Sequence, residues 1–551
     1  MITSTADIDL LNQRKIAVSL VLQYTLDTAI FLILGLSSNK SKIFIVKFLK
    51  RLYTLEENMK LRINSRLDNI EFKSEMAIKD DKEFRGAVDI LKSIVTYGGD
   101  IHNTAFLVGG CVRDIVLGKE PHDYDIATNL VPSSIIDMAH DKAYKGVFLV
   151  GVAFGTVNIL HRDNMYEVTT FRKEQNYSDG RHPDTVEYAT ELKEDLLRRD
   201  FTINAMAASA SIVNEKQGIA DLSIIDYFGG LQDLKNKILR CVGNPNERFM
   251  EDALRILRAI RFAIKYNLTI EEDTFKAMIA NKDRLNLISK ERITEEFRKI
   301  LTCGKPITPI FLKCAEIIKV IIPEITKCVG FDQNNKYHQH EVYEHMLNVV
   351  DNCKTDKFEI KIAALLHDIG KPDAYSEDAD GHGHFYGHPK ISYDICVDML
   401  PKRFRLSSEE LEEVLTLIEQ HDRTVIVSTK SIKRALNALG ESVFRDWMIL
   451  RQADIDDHIN LKNDNKNFIV DTSLYLEPLA DIVNSNQAFT LKALNINGND
   501  IMKITNTKGG KHIGIILNTL LDEVIDEEIS NEYSVLAIRA KEIWDAGIGG
   551  E

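Results

Sequence analysis

The chain has 551 residues, of which 44% are hydrophobic and 28% are charged, and its net charge is −14. This length exceeds what one hydrophobic core supports, so we expect three or four domains in a soluble globular protein. The negative charge argues against nonspecific coating of nucleic acid but permits a local basic face for RNA. Seven cysteines without a Cys-x-x-Cys pair fit neither a disulfide framework nor a zinc site, and they indicate a reducing cytoplasm.

Residues 1–81 match no motif and are predicted to be helical. Within them, Ile16–Leu36 is apolar, long enough to cross a bilayer, and preceded by two basic residues as in a signal peptide. Asp27 interrupts the segment, and a carboxylate at the middle of a membrane costs about 2.5–3.5 kcal/mol. We therefore expect a buried helix or helical hairpin here, with a membrane or targeting role as the alternative.

A helical period from Glu83 to Tyr97 leads into an apolar run that ends at Gly109 and Gly110. Two glycines allow backbone N–H groups to approach a phosphate, and the N-terminus of a following helix adds positive dipole. Arg113 can reach an anionic oxygen from the first turn of that helix. The segment predicts a phosphate-binding turn between a strand and a helix.

Asp123 and Asp125 follow on a second predicted strand. Residues two apart on a strand face the same way, so the two carboxylates should meet at one point beside the glycines. Two hard oxygen donors next to a phosphate site predict Mg²⁺. Taken singly, the glycines could form an ordinary turn and the aspartates a solvated strand end. In this order, Gly-Gly-x-Val-Arg-Asp and Asp-x-Asp resemble the signature of the class II nucleotidyltransferases, which include CCA-adding enzymes and bacterial poly(A) polymerases.

A helix and three strands (148–150, 156–160 and 166–171) are predicted after Thr128, which together indicate a small mixed sheet with flanking helices. The resemblance makes Glu167 the third catalytic carboxylate; the alternative is an exposed strand residue. Asn176–Pro183 is rich in turn formers and is expected to be a mobile loop. In the family, the loop at this position helps to switch from C to A addition.

Asp200 and Asn204 are predicted to share one helix face because they are four residues apart. The resemblance assigns both to the ribose hydroxyls of the nucleotide and directs Arg199 toward phosphate. Asp200 can in addition cap the helix.

Residues 251–262 have a helical period, and Asp252 and Arg255 should be neighbours on one face. Their acceptor and donor groups complement cytosine and adenine but leave uracil and guanine unpaired. The resemblance implies that this pair selects CTP and ATP, with Arg258 also binding nucleotide. The alternative is an ordinary surface salt bridge. Ile288–Ile293 resembles the next family motif, which is expected to brace this helix.

A second chemical site is predicted beyond Pro323, where histidines and aspartates recur across several helices. Imidazole and carboxylate ligands suit one or two divalent transition metal ions. His367-Asp368 resembles the signature of the HD phosphohydrolase superfamily. That resemblance implies a metal set of His345, His367, Asp368 and Asp454, with His388 and His421 available for a second ion. The HD region could act as a phosphomonoesterase or cyclic phosphodiesterase, or it could be purely structural.

Beyond Phe489, the chain resembles the tRNA-gripping tail of bacterial CCA-adding enzymes, with Lys508 and Lys511 beside a Gly-Gly turn. The sequence thus predicts a multidomain α+β protein in which a small mixed-sheet nucleotidyltransferase head precedes mostly helical domains. The predicted regions are an unassigned N-terminal extension, the head, the neck, the HD domain and the tail, at 1–81, 82–232, 233–325, 326–475 and 476–551.

The predicted function is template-independent addition of CCA to tRNA from CTP and ATP. Expected partners are tRNA and these nucleotides, without DNA or a membrane, and the expected location is the cytoplasm. The nearest alternative is a poly(A) polymerase or an enzyme that adds only CC or only A. Two other classes remain: an HD phosphohydrolase with an RNA-binding head, and a non-catalytic or membrane-tethered adaptor.

Overall fold

The computed structural model describes residues 70–77, 82–175, 185–214, 219–459, 471–485, 487 and 489–547. The apolar segment Ile16–Leu36 and the turn-rich loop Asn176–Pro183 lie outside them. None of the helices described is both long and apolar enough to cross a membrane. The described residues divide into two compact units: the first comprises those up to residue 173 and those within 186–199 and 203–231, and the second comprises the remainder.

An eight-stranded mixed sheet forms the centre of the first unit, which confirms the predicted mixed-sheet head. Its order is β1-β10-β9-β2-β3-β6-β5-β4, and β3 and β6 are parallel while the other pairs are antiparallel. β7 and β8 form a separate ribbon. The strands are β1 (Ile70–Ala77), β2 (Ala105–Val108), β3 (Ile126–Thr128), β4 (Gly146–Phe148), β5 (Thr156–His161), β6 (Asn164–Thr170), β7 (Arg172–Gln175), β8 (Thr185–Tyr188), β9 (Met206–Asn214) and β10 (Ile219–Asp226).

β1 corrects the expectation that residues 1–81 are helical. All eight of its residues pair antiparallel with β10, so this part of the N-terminal extension is an edge strand of the head sheet. Pairing with β1 satisfies the backbone groups that β10 would otherwise leave open at this edge of the sheet.

Helices cover one face of the sheet. Helix Lys82–Val95 places Phe84 and Val88 in the core, and it contacts β2, β3, β6 and β9. Tyr166 on β6 faces this helix and donates a hydrogen bond to the Glu83 carbonyl at 2.8 Å. A Cβ on Gly86 would lie 2.1 Å from the Tyr166 hydroxyl, so glycine is required for this close approach. The other helices of this unit are Gly110–Val116, Pro132–Asp141 and Leu192–Leu197.

The second unit is mostly helical, as the sequence predicts, and it contains the predicted neck, HD and tail segments. Its short strands are β11 (Ile238–Leu239), β12 (Thr269–Ile270), β13 (Ser376–Glu377) and β14 (Gly383–His384). Helix Gly230–Asn236 begins at the end of the first unit. The remaining helices are Pro245–Glu251, Leu254–Tyr266, Glu272–Asn281, Lys290–Leu301, Thr308–Lys313, Ala315–Ile321, Val342–Asn352, Phe358–Leu366, Lys371–Ala374, His388–Arg403, Ser408–Gln420, Thr429–Asp457, Leu476–Asn484, Gly498–Thr505, Lys511–Ile525 and Tyr533–Asp545.

Candidate active sites

Asp123 and Asp125 lie immediately before β3 rather than within it, which corrects the predicted strand boundary. The Val108 N–H nevertheless donates to the Asp125 carbonyl at 3.0 Å, so strand-like pairing extends to this residue. Tyr124 between them is 3% exposed, whereas Asp123 is exposed and Asp125 half-buried. This alternation agrees with the predicted placement of both carboxylates on one side.

The register of the sheet brings Glu167 next to Asp125. Ile126 pairs with Val168, so the residue before each of them lies on the face opposite helix Lys82–Val95. Burial, together with the charges of Glu167 and Asp123, raises the pKa of Asp125 to about 6, against a lowering effect of Arg199. The first unit thus gathers three carboxylates whose repulsion a divalent cation would relieve.

Gly109 lies at the same place, as the sequence predicts. Its φ of 75° is in the left-handed region that favours glycine, and an added Cβ would lie 2.7 Å from Arg199 Nη1. Gly110 begins the predicted helix directly afterwards. Because the charge of Arg199 also acts on Asp125, the glycines, this guanidinium and the acidic cluster form one site.

Arg113 is 6% exposed and already engaged by other residues. It donates to the two carboxylate oxygens of Asp114 at 3.0 and 3.1 Å, and to Asn204 Oδ1 at 2.5 Å. A phosphate would therefore have to compete with these partners for the guanidinium.

The predicted helix carrying Asp200 and Asn204 is wrong. Only Thr202–Asn204 is helical there, as a single 3-10 turn. Asp200 lies before this turn and next to Phe201, which forms an isolated antiparallel bridge with Cys241. Asp200 accepts two hydrogen bonds from Arg258, at 2.8 and 2.6 Å. The ribose-binding role of Asp200 and Asn204 stays a prediction.

Asp252 and Arg255 do not share one continuous helix, contrary to the prediction. Asp252 ends helix Pro245–Glu251 with an extended backbone, φ −146° and ψ 104°, and its carboxylate accepts from the Leu254 N–H at 3.0 Å. Arg292 donates to both Asp252 oxygens, at 3.2 and 2.6 Å. Arg255 instead pairs with Glu251, its Nη1 lying 2.5 Å from Oε2. Arg292, within the predicted bracing motif, thus fixes the carboxylate directly.

Six predicted metal ligands of the second unit come together around Asp368. His345 Nε2 and His367 Nε2 lie 3.2 and 3.1 Å from Asp368 Oδ2. His388 Nε2 and His421 Nε2 lie 3.1 and 3.5 Å from Asp368 Oδ1. Asp454 Oδ1 lies 3.3 Å from His345 Nε2, which places the sixth residue in the same cluster.

The hydrogen bonds around these histidines leave their Nε2 atoms available to a metal. Nδ1 of His367, His388 and His421 lies 2.7–2.8 Å from the carbonyl of Ala364, Phe385 and Ile418, respectively. A carbonyl can only accept, so Nδ1 carries the proton and Nε2 keeps its lone pair in the neutral ring. Asp457 Oδ2 holds His345 Nδ1 at 2.7 Å. His345 Nε2, His367 Nε2 and Asp368 Oδ1 are buried without a hydrogen-bond partner of their own, so these residues fit the ligand set of a cation.

A cavity of about 440 Å³ opens onto this cluster. Besides the ligands, it is lined by Lys371 and Arg451, two cations that suit a phosphoryl group. Lys371 Nζ lies 2.7 Å from Asp368 Oδ2, and Arg451 Nη1 lies 3.0 Å from Asp454 Oδ2. Burial alone would raise the pKa of Asp368, but the charges of His367 and Lys371 lower it well below its usual value.

Sequence reasoning missed several residues of this region. Asp457 orients His345, and His338 and His458 join His345 in a further group whose ligand atoms lie within 4.8 Å of one another. Asp457 lies three residues after Asp454 on the same helix, a spacing that could have revealed it. In the described part of the chain, the three head carboxylates form no group as tight as these.

The fold and both sites define a nucleotidyltransferase head joined to an HD domain, and four family models match in that order. They are described as Poly A polymerase head domain (residues 105–240), probable RNA and SrmB-binding site of polymerase A (267–328), HD domain (337–454) and tRNA nucleotidyltransferase domain 2 (429–539). The CCA-adding enzyme of Ligilactobacillus salivarius is 32% identical over 475 residues, covering 84% of this chain and 97% of that protein. The chain therefore belongs to the family of CCA-adding enzymes, which confirms the resemblance drawn from the sequence.

Other relatives match a shorter part of the chain. The CCA-adding enzyme of Pediococcus pentosaceus is 45% identical over 225 residues, which are 41% of this chain and about half (52%) of that protein. Among solved structures, the Bacillus stearothermophilus CCA-adding enzyme in complex with CTP has a TM-score of 0.58 at 25% identity, covering 85% of this chain and 99% of its own. The Thermotoga maritima enzyme complexed with tRNA has a TM-score of 0.51 at 21% identity, covering 84% and 96%.

Proposed function

We propose that this chain adds C, C and A to the 3′ ends of tRNA from CTP and ATP, without a nucleic-acid template and with release of pyrophosphate. The observation that carries the proposal is the acidic cluster of Asp123, Asp125 and Glu167 beside Gly109 and its overlying arginine. Family membership and the relatives named above support it.

Asp123 and Asp125, aided by Glu167, would hold Mg²⁺ in the head. When bound, Mg²⁺ would favour ionisation of the primer 3′-hydroxyl and stabilise the leaving pyrophosphate. Arg199, lying over Gly109, would neutralise triphosphate charge at the same site. The protein's own contribution is to hold a 3′-hydroxyl and a triphosphate in one orientation, which can supply much of the rate.

Base selection would rest on Asp252 and Arg255 in the second unit. Arg292 holds the Asp252 carboxylate and Glu251 holds the Arg255 guanidinium, so both groups would be positioned before a base binds. A pre-positioned acceptor and donor match cytosine and adenine, whose exocyclic amine and ring nitrogen offer the complementary pattern. Uracil and guanine would leave buried polar groups unpaired, which disfavours them.

The HD cluster favours a second function, hydrolysis of a phosphate ester. Four histidine Nε2 atoms and two carboxylates converge beneath a cavity that carries Lys371 and Arg451. A divalent transition metal bound there would supply an activated water. Lys371 and Arg451 would hold the phosphoryl oxygens next to this water.

All seven cysteines are free thiols, which supports a cytoplasmic location for both activities.

The test is incorporation of labelled nucleotides into tRNA trimmed of its 3′ end. CTP alone should add two residues, and CTP with ATP should add three and then stop. Asp125→Ala should abolish incorporation, whereas Asp368→Ala should leave it intact and abolish phosphohydrolase activity. A long A tract would indicate a poly(A) polymerase instead. Retention of incorporation by Asp125→Ala would refute the assignment of the acidic cluster.

A further inference from the structure

A row of side chains crosses the face of the head sheet that lies opposite helix Lys82–Val95, from the carboxylates to the edge strand β4. Glu167 pairs with Asn158, and Asn158 pairs with Phe148. The parallel pairing of β3 with β6 places Asp125 beside Glu167. Directly opposed residues project to the same face, and strands are about 4.8 Å apart, so Phe148 stands roughly 14 Å from Asp125.

The far end of this row is apolar and exposed. Phe148 is 45% exposed and Met165 on β6 is 46% exposed, while Leu160 lies half-buried between their strands. The Phe148 ring lies over Gly146, where an added Cβ would come within 3.1 Å of it. The missing side chain therefore makes room for the ring to lie against the sheet. Asn158 adds a polar group, and its amide donates to the Val150 carbonyl at 3.1 Å.

We infer that this face is the platform for the last unpaired nucleotides of the RNA primer, with their bases stacked on Phe148 and Met165. The inference rests on the proposed function, because a primer must place its 3′-hydroxyl at Asp125. Since Phe148 lies roughly three strand spacings from that point, its ring contacts nucleotides behind the terminal one rather than the reacting hydroxyl.

The apolar character of this face determines which side of the primer meets it. Phe148 and Met165 are exposed and apolar, so the strand turns its bases toward the sheet and its charged backbone toward water. The primer end also changes with every nucleotide added, and hydrogen-bonding groups specific for one base could not accept each successive end. Stacking on an aromatic ring tolerates any base, since every base has a π face.

The test separates the affinity for primer from the affinity for nucleotide. Phe148→Ala should raise the KM for trimmed tRNA by about tenfold, which corresponds to one lost stacking contact, and leave the KM for CTP within about twofold. Phe148→Tyr should retain wild-type values because it keeps the ring. Met165→Ala should raise the same KM by a smaller factor. Ile101→Ala is the control, since this residue is 90% exposed but lies outside the sheet.

An abasic primer gives a second measurement. Abasic nucleotides next to the 3′ end should raise the KM of the wild type for tRNA. They should raise the KM of Phe148→Ala little further, because this variant already lacks the ring on which the base would stack. Additive losses would overturn the inference. An unchanged KM for tRNA in Phe148→Ala would do so too, and if the variant also changed oligomeric state, the face would belong to a second copy of the chain.

The incorporation assay distinguishes failure of the proposed CCA addition from failure of the primer platform. If the wild-type protein incorporates nothing into trimmed tRNA, the proposed function fails and the platform with it. If the wild type incorporates C, C and A while Phe148→Ala behaves like Ile101→Ala, only the platform is refuted.

Discussion

Replacing Asp125 with asparagine should stabilise the metal-free protein while abolishing nucleotide incorporation. Burial, together with the charges of Glu167 and Asp123, raises the pKa of Asp125 from 3.8 to about 6. When the pKa of a carboxyl group is higher in the folded state than in the unfolded state, ionisation of that group lowers the stability of the folded protein. A rise of roughly two units corresponds to about 3 kcal/mol at pH 8, and the neutral amide removes that penalty.

The sign of the effect sets its pH dependence. The penalty on wild-type folding is absent well below pH 4, where the carboxyl is protonated in both states, and grows as the pH rises toward 6. The advantage of Asp125→Asn should therefore be about 3 kcal/mol at pH 8 and below about 1 kcal/mol near pH 4. Added Mg²⁺ should stabilise the wild type but not the variant, since a ligand stabilises only the state that binds it.

Denaturant or thermal unfolding at the two pH values, with and without Mg²⁺, measures these differences. The chain has two compact units, so the comparison should follow the transition that Mg²⁺ shifts in the wild type. Asp137→Asn is a matched control, because this exposed residue lies on helix Pro132–Asp141 of the same unit. A variant that is less stable at pH 8, or whose gain does not depend on pH, would refute the electrostatic reasoning.

Three further predictions concern the head metal site, the base-selecting pair and the HD cluster. The Mg²⁺ concentration needed for half-maximal incorporation should rise as the pH falls from 7 to 5, because Asp125 must lose its proton to bind metal; a flat titration would contradict this. Arg292→Ala should lower the preference for CTP over UTP by about tenfold in single-nucleotide assays, since Asp252 loses the partner that holds it, whereas an unchanged preference would exclude such a role. His367→Ala should remove the transition metal measured by elemental analysis, and Asp457→Asn should weaken its binding by about 10- to 100-fold, with incorporation unchanged in both.

The sequence predicts the features that short motifs specify, but it does not predict where a helix is interrupted. Gly109 and Asp125 lie in one contiguous segment, so strand pairing alone brings them together. The sequence pattern predicts that Asp252 lies on a helix because the apolar period continues on both sides of it. Periodicity cannot show that this carboxylate caps Leu254 and interrupts the helix.

Two other differences have equally local causes. Residues 70–76 have the sequence Ile-Glu-Phe-Lys-Ser-Glu-Met, an alternation of period two that indicates a strand, but the longer apolar segment that precedes them favours a helix for the region as a whole. In the HD cluster, the six ligands could be predicted because histidine and aspartate are distinctive. Asp457 carries no such motif, and only its spacing of three residues from Asp454 marks it as lying on the same face of the helix.

The most direct measurement is nucleotide incorporation into trimmed tRNA by the wild type and by Asp125→Ala. The wild type should extend the primer by three residues with CTP and ATP and then stop, and the variant should add none. Unlimited addition of A by the wild type, or full addition by the variant, would contradict the account.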